Sequence, residues 1–506
     1  MRESGILFPI FSLPSKFGIG SFSKEAYAFV DFLYNSGQGF WQILPVGPTG
    51  YGNSPYQPIS AFAGNPYFIS IETLIEEGLL TWDEANGAYF GSDEERVDYG
   101  ALYENRGALF RKAFVRFQEK LKDEKTAAEY EEYLKKESWW IEDFALFSAI
   151  KLKKGGASFL DWEDELKTRD KQAIEGEKQE LSEEIAFVCF EQFEFDRQWK
   201  KLKEYARKKN VKIIGDLPFY VSLDSADVWS HPEVFQMEKD LTPTVVAGCP
   251  PDAFSRTGQL WGNPIYDWDA LKKNGYQWWV KRMERNYEFY DVIRIDHFHG
   301  FCDYYAVPYK DTTAEHGESR KGPGMDLFNA LKKEIGELKI IAEDLGTNTP
   351  ENEKLLADSG FPGMKVLQYG FTSWDSYYVN HRHINNCVVY TGTHDNTPSR
   401  AWIEEINDGE RDFVRRYINS INTDYGKFVW DFIREAYRSV ADLCIVPLQD
   451  YLCKGKEARI NSPGTSEGNW QWRLRPNFLS SDLERSIREL SELYGRIPKE
   501  PEEEAE

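Results

Sequence analysis

Eight short apolar runs punctuate the chain, at residues 5–11, 40–46, 212–217, 292–296, 339–343, 364–368, 387–390 and 443–448. Each is rich in β-branched or aromatic residues and has little polar alternation. That pattern predicts strands buried on both faces, as in a parallel sheet. Helical spacing lies between them. Ala26, Phe29, Val30 and Leu33 repeat on one face, with Ser23 placed to cap and Gly37 to stop the helix. Phe190, Phe193, Trp199, Leu202 and Ala206 do the same before the third run, and Leu327, Leu331 and Ile335 before the fifth. Alternating strands and helices, with eight strands, predict an α/β fold, a (β/α)8 TIM barrel. A doubly wound open sheet gives the same local signals.

Two spacings exceed a simple barrel unit. Residues 47–211 separate the second and third runs and are largely Lys/Glu-rich with helical patterning, as at 117–136 and 177–187. Within them, residues 70–190 read as a helical insertion whose charge runs are solvated faces. Residues 222–290, rich in Pro, Gly and Trp, read as a second insertion after strand 3. Only one clear helical stretch, 482–494, follows the last run, so no C-terminal β-sandwich is expected. The whole of 1–506 reads as one catalytic barrel with insertions.

Composition narrows the partners. The formal net charge is −23, from 84 acids against 61 bases, which repels phosphate backbones and argues against nucleic acid. No segment reaches the ~20 apolar residues of a membrane span. The start of the chain lacks a basic segment followed by a long apolar run, and the six cysteines are scattered without a CxxC pair. These features predict a cytoplasmic protein with thiols in a reducing compartment, rather than a disulfide frame or zinc site. Aromatic residues are abundant. Most must be core, and Trp139-Trp140 and Trp278-Trp279 read as core of the insertions.

The chemistry lies at the ends of the runs. The third ends in Gly215-Asp216-Leu217, the fourth in Arg294-Ile295-Asp296-His297, and the fifth in Ala342-Glu343-Asp344. Thr393-His394-Asp395-Asn396 follows the seventh. One carboxylate there is often only a helix cap. A barrel brings all four ends to one mouth, where its active site sits. Converging carboxylates without a Cys/His cluster suit a glycosidic bond, which needs one protonated carboxyl and one ionised one. Arg294, two residues before Asp296, shares its face in a strand and would hold it ionised. The alternative is a structural salt bridge. His231, His316, His381 and His383 read as surface or loop residues, so no metal site is expected. The glycines at 18 and 20 form a turn, not a nucleotide loop.

Longer motifs accompany these residues: Ser54-Pro55-Tyr56, Gly215 to Val221, Pro250-Pro251-Asp252, Leu260-Trp261-Gly262-Asn263-Pro264, Gly360 to Gln368, and Asn461-Ser462-Pro463-Gly464-Thr465. Together, in this order, they resemble the amylomaltase family of the α-amylase clan across nearly the whole chain. The resemblance implies transfer of α-1,4-glucan segments among glucans, maltooligosaccharides and glucose, with no cofactor. It implies Asp296 as nucleophile, Glu343 as acid and then base, and Asp395 as the carboxylate that binds sugar hydroxyls and distorts the ring. It implies substrate contacts from Ser54, Tyr56, Asp216, Arg294, His394 and Asn461. Asp252, Phe254, Trp261 and Asn263 would belong to a loop over the cleft. Thr397-Pro398-Ser399-Arg400 departs from the family's usual pattern and bears on acceptor preference. Two other functions stay open: an α-glucan hydrolase using the same carboxylates, and an inactive glucan-binding protein, which intact carboxylates disfavour. A retaining enzyme should hold the Asp296 and Glu343 carboxyls about 5–5.5 Å apart.

Overall fold

A computed structural model describes residues 2–50, 52–251, 255–346, 349–465 and 467–499. Among the described residues there are twelve strands: β1 Glu3–Leu7, β2 Phe40–Gln42, β3 Lys212–Leu217, β4 Val245–Cys249, β5 Gln259–Pro264, β6 Val292–Ile295, β7 Asp303–Pro308, β8 Glu318–Lys321, β9 Ile340–Ala342, β10 Gly363–Val366, β11 Cys387–Tyr390 and β12 Leu443–Pro447. Eight of them close into a parallel barrel in the order β1-β12-β11-β10-β9-β6-β3-β2. Closure excludes the open doubly wound sheet, and the eight barrel strands fall on the eight apolar runs.

The strands are shorter than several of those runs. Pro9 and a 3-10 turn at Ile10–Ser12 end the first, and a 3-10 segment at Leu367–Thr372 follows β10. Apolar character continues past the ladder because the chain stays buried after it leaves the sheet. Leu7, Phe40, Ile214, Ile341, Met364, Val366, Val388, Tyr390 and Ile445 form a cluster of their own. Residues alternating with them join the larger core against the helices, so the first set fills the barrel interior.

The helix Lys24–Asn35 buries Ala26, Phe29, Val30 and Leu33 as its spacing predicts. Ser23 precedes it but does not cap it, because its hydroxyl donates to Glu25 Oε2 at 2.6 Å. Gly37 stops the chain in the left-handed region, at φ 71°.

Between β2 and β3 lie the helices Tyr99–Lys120, Glu124–Lys153, Lys171–Glu180 and Ser182–Lys208, with shorter turns. The expected helices at 117–136 and 177–187 each straddle a break. At the first, the Asp123 side chain accepts from Thr126 N at 2.9 Å and starts a new helix.

An unpredicted element lies across the next two connections. β4 and β5 pair antiparallel, and β7 and β8, which follow β6, extend them into a four-stranded sheet ordered β5-β4-β7-β8. It carries Trp261 and Asn263. Among the described residues no strand follows β12, only the helices Leu448–Tyr451 and Ser481–Leu493 and a 3-10 turn. None of the helices there is long and apolar enough to cross a membrane.

Candidate active site

Register positions the first charges. β3 and β6 align Asp216 with Arg294, while β6 and β9 align Ile295 with Ala342. Asp296 and Glu343 are therefore the next residues on neighbouring strands. Arg294 is buried, and its Nη1 donates to both oxygens of Asp216 at 2.7 Å and to Asp296 Oδ1 at 3.1 Å. The predicted Arg294–Asp296 contact is present, but the stronger partner is Asp216. Burial pushes the Asp216 carboxyl up and Arg294 pulls it down. An arginine enclosed between two carboxylates stays charged and fixes both in place.

Glu343 lies against the same turn. Its Oε2 accepts the backbone N–H of His297 at 2.7 Å, and Oε1 accepts that of Leu345 at 3.0 Å. The residue after Asp296 thus clamps the Glu343 carboxyl beside it. His297 reaches this position with φ 52°, a left-handed conformation rare outside glycine. Burial, reinforced by the Asp296 charge, outweighs Arg294 and both backbone donors and raises Glu343 to about 8. Asp296 keeps 31% of its side chain exposed. One carboxyl is thus set up to hold a proton at neutral pH, next to one that solvent and substrate can reach.

The opposite wall is built on the loop after β11. His394 is buried and stacks on Tyr56, with ring centroids 5.2 Å apart at 15°. The Tyr56 hydroxyl donates to Asp216 Oδ2 at 2.9 Å and lies 2.9 Å from His394 Nε2, which is also 3.3 Å from Asp395 Oδ2. An Nε2–H tautomer serves both contacts. Asp395 Oδ1 accepts from Asn461 Nδ2 at 2.6 Å. Ser54 holds the Tyr56 turn, its hydroxyl accepting Tyr56 N–H at 3.2 Å. The structure thus brings Asp216, Arg294, Asp296, Glu343, Tyr56, His394, Asp395 and Asn461 into one connected set.

Trp261 and Asn263 stand beside that set. Trp261 meets His297 edge-on, with centroids 5.1 Å apart at 88°. Asn263 is buried and donates to Val221 O at 2.7 Å, which ties β5 to the loop after β3. Asp252 and Phe254 lie outside the described residues.

Three contributors escaped sequence reasoning. Arg459 Nη2 donates to Asp395 O at 3.0 Å, and its Nε donates to Asn461 O at 2.8 Å. It stands two residues before Asn461, a spacing that could have flagged it. Trp470 packs 5.7 Å from Tyr56 and 6.1 Å from His394, with no local signal. His297 acts through its backbone, which side-chain reasoning does not see. His383, read as a surface or loop residue, is buried and bonded to Ser439 and Tyr378 O. Among the described residues, no group of three or more His, Cys, Asp or Glu is arranged to hold a metal.

Fold and site together define a barrel enzyme with a carboxylate-lined mouth. The family model described as 4-alpha-glucanotransferase matches residues 8–480. A 4-alpha-glucanotransferase of Clostridium butyricum is 46% identical over 490 residues, covering 96% of this chain and 99% of that one. That of Thermus thermophilus is 42% identical, covering 98% and 99%. The solved amylomaltase of Streptococcus agalactiae, in complex with acarbose, superposes with a TM-score of 0.95 at 40% identity, covering 98% of this chain and 100% of that one. The chain belongs to the 4-alpha-glucanotransferase family and has that family's transferase activity on glucans.

Proposed function

We propose that the chain transfers α-1,4-glucan segments by a retaining double displacement at the barrel mouth. Asp296 attacks the anomeric carbon while Glu343 gives its proton to the leaving glycosidic oxygen, and the reducing-end fragment departs. Glu343, now ionised, takes the proton from the 4-hydroxyl of an acceptor glucan or glucose, which displaces Asp296 and receives the glycosyl group. Two inversions retain the anomer. Asp395, held by Asn461 and His394, binds sugar hydroxyls and favours the flattened ring of the transition state. Tyr56 supports the donor sugar, and Trp261 with Asn263 covers the acceptor side, so that sugar outcompetes water.

One observation carries this reading. Glu343 is clamped by the backbone N–H of the residue after Asp296 and is raised to about 8, while Asp296 stays open to the cleft. Acid and nucleophile are separated by environment, as the mechanism needs. The test is incubation with maltotriose. Glucose plus a ladder of longer maltooligosaccharides, with total reducing ends unchanged, is the expected result. Rising reducing ends with only shorter products would mean hydrolysis and overturn the acceptor argument.

A further inference from the structure

A cavity of ≈ 320 Å³ lies between the helix Glu124–Lys153 of the insertion and the helix Gln277–Phe289 that leads into β6. Asp296, Glu343 and Asp395 do not line it. Five rings do: Phe62, Trp139, Trp140, Phe144 and Trp278. Phe62 meets Trp139 and Trp278 edge-on, with centroids 4.8 and 5.8 Å away. Trp139 is 39% exposed, so the cavity opens to solvent beside it, while Trp278 is buried and its indole N–H has no partner. From the sequence, both tryptophans are expected in the core of the insertions. Trp278 fits that, and Trp139 does not.

The polar lining selects the ligand. Ser230, Glu233, Asn274 and Gln277 offer donors and acceptors around the rings. Of the charged groups in the lining, Asp143 pairs with Arg169 and Glu233 with His231, which leaves Asp227 beside Lys281 and no net attraction for an anion. A cation is disfavoured too. Lys281 Nζ already lies 5.8 Å over the Trp139 ring, and Asp143 pairs with Arg169. A wholly apolar ligand would cover the Gln277 amide and leave the buried Trp278 indole N–H without a partner. What fits is a neutral molecule with flat C–H faces and many hydroxyls. The volume sits at the small end of ligand pockets, roughly 300–1,000 Å³, and suits a few sugar units at a chain end. Ser60 and Phe62 belong to the same loop that carries Tyr56 to the barrel mouth, and Ala61 N–H is held by Asp227.

We propose that this cavity is a second α-glucan site, which holds polymeric substrate beside the catalytic cleft. The inference rests on the glucan substrate of the proposed function. It predicts a split between short and long substrates. Trp139→Ala should raise the KM for amylose about five- to tenfold, the loss of one stacked ring, and leave maltotriose kinetics within about twofold of wild type. Its retardation in amylopectin-containing native gels should fall, and Trp139→Phe should restore both properties. Trp139→Ala migrating like wild type in amylopectin would overturn the site. Equal loss on maltotriose and amylose would also overturn it, by assigning the ring to the cleft or the fold. Failure of the wild type to disproportionate maltotriose would instead sink the reading on which the inference rests.

Discussion

Glu343 at the barrel mouth and Glu191 in the helix Ser182–Lys208 are both raised to about 8, and burial is the main cause for each. Their neighbours differ. Glu191 lies near Arg111 and Arg106, which are committed elsewhere: Arg111 to Glu184 at 2.9 Å, and Arg106 to Tyr67 O and Ile69 O at 2.8 and 2.7 Å. Glu343 lies against Asp296, whose charge holds the proton on it and whose own side chain is open. A raised carboxyl therefore marks burial, and it becomes a general acid only when a reachable nucleophile stands beside it.

Substitutions separate the two regions. Asp296→Asn should lower turnover on the order of 10⁴-fold or more, by removing the proposed nucleophile. Glu343→Gln should lower it roughly 10²–10⁴-fold, by removing the proposed acid. Steady-state rates on maltotriose check both, and near wild-type turnover in either variant would withdraw that residue's role. The pH profile sharpens the second case. As the proposed acid Glu343 would work protonated, so kcat/KM of the wild type should fall as pH rises through about 8, and Glu343→Gln should lack that limb.

Arg294→Ala leaves Asp216 buried without its guanidinium. It should cost about 3–5 kcal/mol of stability in denaturant unfolding, together with most of the activity. A fully stable variant would mean that Asp216 finds another partner. Tyr56→Phe removes the hydroxyl that joins Asp216 to His394. The expected cost is about 1 kcal/mol of stability and a loss of roughly tenfold in kcat/KM.

Glu191→Gln should change turnover least, within about twofold. Its effect is on stability. A carboxyl raised from 4.5 to about 8 in the fold contributes fully below 4.5 and loses that contribution as pH rises through about 8. The Gln variant should therefore gain melting temperature relative to wild type across that window. A flat difference would mean that Glu191 is not held neutral.

The eight barrel strands were legible because strands buried on both faces leave continuous apolar runs. Arg294 and Asp296 were legible as partners because two residues in a strand share a face. The stronger Arg294–Asp216 contact was not, since the β3–β6 register is set by the whole barrel. The sheet β5-β4-β7-β8 was hidden for another reason. β8 is Glu-Ser-Arg-Lys and nearly all exposed, and β5 carries Trp, Gly and Pro with both faces part-open, so neither leaves a strand pattern. Motif resemblance supplied Tyr56, His394 and Asn461. The resemblance did not point to Arg459 or Trp470, whose contacts depend on the chain returning to the mouth after β12.

The most direct test of the central claim is mass spectrometry of Glu343→Gln incubated with α-maltosyl fluoride. Fluoride leaves without an acid, so Asp296 can still attack, while the missing base slows release of the sugar. The account predicts one added maltosyl unit on the peptide that contains Asp296. No added mass, or a maltosyl unit on Asp395 or another residue, would contradict it.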